Sequence, residues 1–328
     1  MYIFPLDLKS KLTFKLLMIR KIYSKIRVER RKFLNGKGFE INSPNGVFKI
    51  NTTYGHPLKI YLSHMKLYDR FLPYLVRNSK SGVLDIGSNI GDTLTLIKSV
   101  SDCKVICVEP DNSFVKILNK NVTDNKFEKT IVYPFGISSE KKKILIDKNW
   151  SGSTGNIKSD FTSNNSVETK TFSELVSELS IDTCDYSTIK VDTDGYDWDC
   201  LNTIYDFIKS NKNDFKFIFY EHQTYLNNLG PSDPDRVKRS KKYIDVLKKL
   251  NQEGFNNYFL FDNYGTFLFF TKSISDIEKI NDYLKRTMVQ NNRPSFNFCD
   301  VLICKTKNLN VVEKTLKDYS TDNQICVK

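Results

Sequence analysis

The stretch GVLDIGSNIGDTLTLI, Gly82 to Ile97, sets an apolar run ahead of an aspartate, two glycines four residues apart, and a segment of helical character. A strand that turns through glycines into a helix is the ligand-binding corner of an open α/β sheet. Gly87 and Gly91 let the chain turn tightly and approach a ligand without a Cβ in the way. Asn89 tolerates the unusual backbone angles of such a turn. A dinucleotide site calls for GxGxxG, whose middle glycine clears space for a pyrophosphate. Here the frame is Gly87-Ser88-Asn89-Ile90-Gly91, without that glycine, and Asp85 stands two residues before it. A carboxylate there repels a pyrophosphate and suits a cation.

Strands and helices alternate outward from this turn. KVICVEP, KTIVYPFGI, STIKVD and FKFIFYEH read as strands, each separated from the next by a helical or loop segment. NNYFLFDNYGTFLFF holds two strands around an Asn-Tyr-Gly turn, and FCDVLICK is a last strand. Upstream, LKIYLSHMKLYDRFLPYLVR reads as one helix. The alternation predicts an α/β fold with a mostly parallel sheet covered by helices on both faces. The second strand ends in Glu109-Pro110-Asp111, where a carboxylate can grip both hydroxyls of a ribose. Asp85 and the sparse glycines then select S-adenosylmethionine, with its sulfonium and ammonium and no phosphate, over a nicotinamide dinucleotide. Asp111, or the backbone near Phe135 and Gly136, is placed on the adenine side.

VLDIGSNIGD, VICVEPDN, and above all STIKVDTDGYDWDCL followed by FIFYEHQ resemble the FkbM-type S-adenosylmethionine-dependent methyltransferases over roughly residues 45–305. The resemblance implies a Rossmann-like class I methyltransferase with a seven-stranded sheet whose last strand, FCDVLICK, is reversed. It implies methyl transfer to a hydroxyl of a sugar or glycan, in a surface polysaccharide or a glycosylated metabolite. One departure is visible: the family usually carries glutamate where this chain has Asp194.

Methyl transfer to oxygen needs an aligned hydroxyl and a group to take its proton. Asp192 ends the fourth strand, and Glu221 and His222 end the fifth. In this topology those strands neighbour the first at about 4.8 Å, so Asp85, Asp192 and Glu221 crowd one rim. Three carboxylates repel one another unless a cation sits among them. Asp192, Glu221 and His222 are thus both the catalytic candidates and candidate ligands for a divalent ion such as Mg2+ or Mn2+. Against this stands a plain structural use, with Asp194 and Gly195 capping the following helix and Glu221 in a structural hydrogen bond. Lys190, in a buried strand, requires a carboxylate partner. Tyr54 and His56 fall in a loop expected to be exposed, and His64 in a helical pattern. NWSGSTGNIKSDFTSNNS, 149–166, reads as a loop or excursion, where Trp150 with Ser151, Ser153 and Asn156 would suit a sugar ring.

The 328 residues include seven cysteines, an odd number without a CxxC pair, and three histidines without zinc spacing. Reduced thiols in a cytoplasmic protein are expected. No spanning helix or signal peptide is expected. The net charge is +12, and the chain contains no alanine, as an AT-rich coding bias would produce. Residues 1–40 hold eleven Lys/Arg and three acids, so they carry +8 and the other 288 residues only +4. A surface-wide nucleic-acid site is therefore not indicated. Residues 1–44 read as a basic amphipathic helical extension, with Leu12, Leu16, Ile19, Tyr23 and Ile26 at helical spacing. It can dock within the chain, on a partner or homodimer, or peripherally at the inner face of a membrane. Residues 45–306 form the methyltransferase domain and 307–328 a C-terminal tail. An enzyme acting on RNA or protein, and a non-catalytic scaffold docking a glycan-synthesis complex, are the alternatives.

Overall fold

The computed structural model describes residues 38–53, 56–148, 155–158, 166–211, 213, 215–225, 233–288, 296–321 and 326–327. The basic helix expected before residue 38 lies outside them. Residues 38–43, expected in that extension, form a strand, β1 (Gly38–Ser43), hairpinned to β2 (Gly46–Asn51). Asn121, fully buried, fastens this hairpin: its side chain accepts from Asn51 N at 2.7 Å and donates to Asn51 O and to Ile90 O in the glycine turn.

The central sheet is built from β3 (Gly82–Ile86), β4 (Val105–Val108), β5 (Thr130–Tyr133), β10 (Tyr186–Val191), β11 (Phe217–His222), β12 (Phe255–Asp262), β13 (Phe267–Thr271) and β14 (Cys299–Lys305). Their order is β13-β12-β14-β11-β10-β3-β4-β5. The five strands from β11 to β5 are parallel, while β14 runs antiparallel between β11 and β12. FCDVLICK is thus the reversed strand the resemblance implied. The sheet has eight strands where seven were expected, because the second half of NNYFLFDNYGTFLFF pairs antiparallel on β12 as an edge. Between β5 and β10, a smaller sheet of β6 (Gly136–Ile137), β7 (Lys143–Lys148), β8 (Gly155–Lys158) and β9 (Ser166–Lys170) takes in part of the expected 149–166 loop. Pro134, which cannot donate to a ladder, separates β5 from β6 where one strand was expected.

The helices are α1 (Leu58–His64), α2 (Phe71–Ser79), α3 (Asp92–Lys98), α4 (Asn112–Asp124), α5 (Phe172–Glu178), α6 (Asp197–Ser210), α7 (Arg236–Gln252), α8 (Ile274–Arg286) and α9 (Leu309–Thr321). One face of the sheet, carrying Leu84, Ile86, Ile189 and Val191, packs with Leu175, Leu201 and Leu247 of α5, α6 and α7. The other, carrying Val83, Cys107, Phe217 and Leu302, packs with Leu75, Leu94 and Val312 of α2, α3 and α9. Residues 307–328, expected as a tail, hold α9, which buries Val312, Thr315 and Tyr319 and belongs to the domain. The segment 58–77, expected as one helix, is two. Pro73 lacks the amide a continuous helix would need there and fits only within a first turn. The chain breaks accordingly at Met65–Arg70, with Asp69 at φ +52°.

Candidate active site

Strand register gathers the ionisable residues. Lys190 pairs with Asp85 across β10 and β3, and Glu221 pairs with Asp300 across β11 and β14. Alternation along each strand puts Asp85, Lys190, Asp192, Glu221 and Asp300 on the face that α2 and α3 cover. Lys190 Nζ lies 3.1 Å from Asp85 Oδ1 and 3.2 Å from Asp192 Oδ2. The first contact is ionic, since neither Asp85 oxygen makes a well-aligned hydrogen bond. Burial opposes the charge of Lys190, but Asp192, Asp85, Asp92 and Asp69 outweigh it and hold the ammonium well above its usual pKa. Asp85, expected to face a ligand, is fully buried beneath the turn, whereas the Asp192 side chain is 45% exposed at the rim.

The helix break adds two acids that the sequence did not single out. Asp69, from the break, and Asp92, at the start of α3, face Lys190. Burial and the neighbouring Asp92 raise Asp69 to about 7, and burial raises Asp92 to about 6. Asp300 is pushed well above the carboxylate range by burial, then by Asp69 and Asp192. A cavity of about 20 Å3, room for one water, lies among Asp69, Lys190, Asp300 and Thr93, walled by Phe71, Phe219 and Phe261.

The glycine turn takes the conformation its residues predicted. Gly87, Asn89 and Gly91 have φ of +84°, +48° and +82°. A Cβ on Gly87 would stand 1.8 Å from Asp192 O, so the turn and the Asp192 strand end touch backbone to backbone. Glu109 at the end of β4 accepts from Asn89 N (2.9 Å) and Asp111 N (2.8 Å), tying the turn to the second strand. Burial raises its carboxyl to about 7 despite those two bonds. Asp111, expected on the adenine side, is the N-cap of α4 and accepts from Ser113 N and Phe114 N. Gly136 lies in β6, where a Cβ would meet Thr169 and Ile144 within 3.3 Å and Pro110 at 3.8 Å.

His222 is not placed to act. It is 2% exposed, with Nδ1 3.0 Å from Tyr220 OH and Nε2 accepting from Asn281 Nδ2 at 2.9 Å. Burial lowers its pKa to about 3. Both ring nitrogens are occupied, and no group of three His, Cys, Asp or Glu among the described residues could hold a metal ion. The expected Asp192–Glu221–His222 metal site is thereby corrected. Glu221 differs: its Oε2 is buried without a hydrogen-bond partner, and burial, then Asp192, Asp197 and Asp194, push its carboxyl well above the usual range. Asp197, another acid not singled out, is fully buried and accepts from Thr193 Oγ1 (3.2 Å) and Gly195 N (3.3 Å). It braces the loop after Asp192, in which Asp194 and Gly195 have φ of +53° and +95°. His56 is buried, not exposed, and accepts from Leu58 N, while His64 lies exposed on α1. Tyr54, Trp150, Ser151 and Ser153 lie outside the described residues, and Asn156 contributes backbone to β8.

A family model described as "Methyltransferase FkbM domain" matches residues 85–256, more than half of the chain. No curated protein sequence matches. Among solved structures, the chain is similar to an O-methyltransferase from Bacillus cereus in complex with S-adenosylhomocysteine, at 11% identity and a TM-score of 0.38, covering 72% of this chain and 80% of that one. It is also similar to an O-methyltransferase of tomaymycin synthesis from Streptomyces achromogenes, in complex with S-adenosylmethionine, at 8% identity and 0.38, covering 72% and 79%. A precorrin-6y C5,15-methyltransferase from Geobacter metallireducens gives 7% identity and 0.35, covering 72% and 87%.

Proposed function

The chain belongs to the FkbM methyltransferase family and is an S-adenosylmethionine-dependent methyltransferase, and from that premise we propose that it methylates a hydroxyl of a sugar or glycan. The observation that carries this reading is the Asp192 carboxylate, held by Lys190 and 45% exposed where its strand end meets the glycine turn. A proton acceptor thus stands next to the cradle for the methyl donor. The donor, when bound, supplies an electrophilic methyl group and a net positive charge. The residues present fit such a group: Asp69, Asp85, Asp92 and Asp192 surround one lysine, and burial, then the neighbouring carboxylates, raise Asp69, Asp92 and Glu221. Gly87, Asn89, Gly91, Glu109, Pro110 and Gly136 would line its place, with Glu109 on the ribose hydroxyls.

In this reading, Asp192 Oδ accepts the proton of the acceptor's hydroxyl as its oxygen is alkylated. Glu221, whose carboxyl burial and then its acidic neighbours push well above the usual range, donates its O–H to an adjacent acceptor oxygen. A polyol has hydroxyls to meet several carboxyl groups at once, which supports a sugar over an acceptor with one polar atom. Six free thiols among the described residues support a reducing, cytoplasmic setting. No helix among the described residues is long and apolar enough to cross a membrane, and we assign docking on a membrane face or partner to the basic residues 1–40.

The test is methyl transfer from isotope-labelled donor to a panel of free sugars, oligosaccharides and nucleotide sugars, with RNA and protein as comparators. Transfer to RNA or protein alone would overturn the reading. Deleting residues 1–37 should release the protein from its docking partner and leave transfer intact.

A further inference from the structure

Helices α7 and α8 leave a groove of about 470 Å3 between them. It runs up to the segment that follows β11. Thr224, two residues past His222, lines it, as does Asn281, which donates to His222 Nε2 and, at 3.3 Å, to Ser240 Oγ. Arg236, only 6% exposed, forms one wall. Its Nε donates to Thr224 Oγ1 at 3.3 Å, Nη1 points at Met288 Sδ at 3.8 Å, and the guanidinium lies 5.4 Å from the Tyr225 ring.

Among the described residues no carboxylate pairs with Arg236. The nearby Asp233 is taken by Arg239 at 2.7 Å. The adjoining segments 226–232 and 289–295 contain no Asp or Glu. A guanidinium keeps its charge and carries five N–H donors, and two of them are used here, one on a thioether. Burying such a cation without a direct ion pair is unfavourable, and burial lowers its pKa, offset only in part by Tyr225 and by Asp233, which is bound to Arg239. The other charged residues of the groove are exposed: Lys241, Lys248 and Lys285 against Asp245, Glu278 and Asp282. Three of each sign cancel in solvent, so the buried guanidinium sets the preference of the groove.

We propose that the groove is an anion subsite, in which the Arg236 guanidinium takes a phosphoryl group carried by the acceptor, away from the hydroxyl that is methylated. A planar fork of N–H groups matches phosphate oxygens in pairs, and Ser240 Oγ stands within the same groove. Neutral hydroxyls at the carboxylate rim and a phosphate in the groove describe one acceptor class, a phosphorylated or nucleoside-diphosphate-linked sugar. This deepens the sugar reading and rests on it for the acceptor's identity, but the site itself can be tested without turnover.

The first arm is calorimetric titration of the full chain with inorganic pyrophosphate. Wild type binds it. Arg236→Gln weakens binding about tenfold or more, as loss of a charge-assisted contact requires. Arg236→Lys falls between them, and Lys248→Gln on the exposed wall stays within about twofold. No binding to wild type, or equal binding to Arg236→Gln, overturns the subsite. Should Arg236→Gln not fold, Arg236→Lys against Lys248→Gln decides the same point. The second arm compares transfer to a sugar and to its phosphorylated form. If the acceptor carries the phosphate, the phosphorylated form has the lower KM, and Arg236→Lys narrows that gap with kcat little changed. If free phosphate is the occupant, the two acceptors are equal and pyrophosphate alters both alike, which overturns the assignment to the acceptor. Absence of transfer to any sugar sinks the sugar reading alone, leaving the pyrophosphate arm to decide the subsite.

Discussion

Lys190 stands opposite Asp85 across two parallel strands, with its Nζ 3.1 Å from Asp85 Oδ1 and 3.2 Å from Asp192 Oδ2. One ammonium thus joins a fully buried carboxylate to a half-exposed one at the rim. Lys190→Met leaves Asp85 without its counter-charge and should cost about 3–5 kcal/mol in urea denaturation. Adding Asp85→Asn removes both charges and should recover most of that loss. Turnover at saturating donor should stay depressed about tenfold or more in the double variant, because Asp192 is still without the cation that orients it. A double variant as active as Asp85→Asn alone would reduce Lys190 to a structural counter-ion.

The two glycines of the turn should respond unequally. Both hold φ above +80°, a conformation that costs alanine about 1–2 kcal/mol. At Gly87 a Cβ also collides with the backbone oxygen of Asp192, which cannot retreat without moving a strand end. At Gly91 it meets Leu118 Cδ1 at 2.5 Å, the tip of a flexible side chain. Gly87→Ala should therefore abolish S-adenosylhomocysteine binding in calorimetry and sharply lower the melting temperature. Gly91→Ala should retain binding within about tenfold. Equal losses at both positions would contradict the close approach at Gly87.

Local pattern made the parallel strands and the glycine turn legible, because each is written within a few consecutive residues, whereas the reversal of FCDVLICK came only from the family resemblance. Asp69 and Asp300 were illegible for a different reason: they meet Lys190 only once strands β11 and β14 pair and the first helix breaks. The signals were faint but present. Pro73 forbids the uninterrupted helix, and Asp300 is an acid inside an otherwise buried strand. His222 misled because a histidine beside a glutamate at a strand end reads as a ligand pair. Asn281 and Tyr220, which occupy its ring, are respectively 59 and two residues away. A contact at that separation has no periodicity to announce it.

Glu109 offers a pH test of the donor site. Its carboxyl lies at about 7, raised by burial. The ionised form is the better acceptor for ribose hydroxyls, and its fraction grows as pH rises through 7. Affinity for S-adenosylhomocysteine should therefore strengthen from pH 5.5 to about 7.5 and level off above. Glu109→Gln should bind more weakly and lose this dependence over the same range. A wild-type affinity flat across that range would place the ribose elsewhere.

His222 should prove structural, and its pH signature has a definite sign. Folded, it titrates at about 3, while unfolded it returns to 6.5. Between those values the unfolded chain binds the proton and the folded chain does not, so this residue's contribution is complete above pH 6.5 and is lost as pH falls toward 3. His222→Gln removes the contribution and should flatten the stability–pH slope in that window by up to about 1.4 kcal/mol per pH unit. Removing the ring's hydrogen bonds with Asn281 and Tyr220 should cost about 1–3 kcal/mol at pH 7.5. S-adenosylhomocysteine affinity should be preserved, because neither ring nitrogen is available to a ligand or a metal. Loss of turnover on chelation, restored by one divalent ion and abolished by His222→Gln, would require the ring to leave Asn281 and would return it to the site.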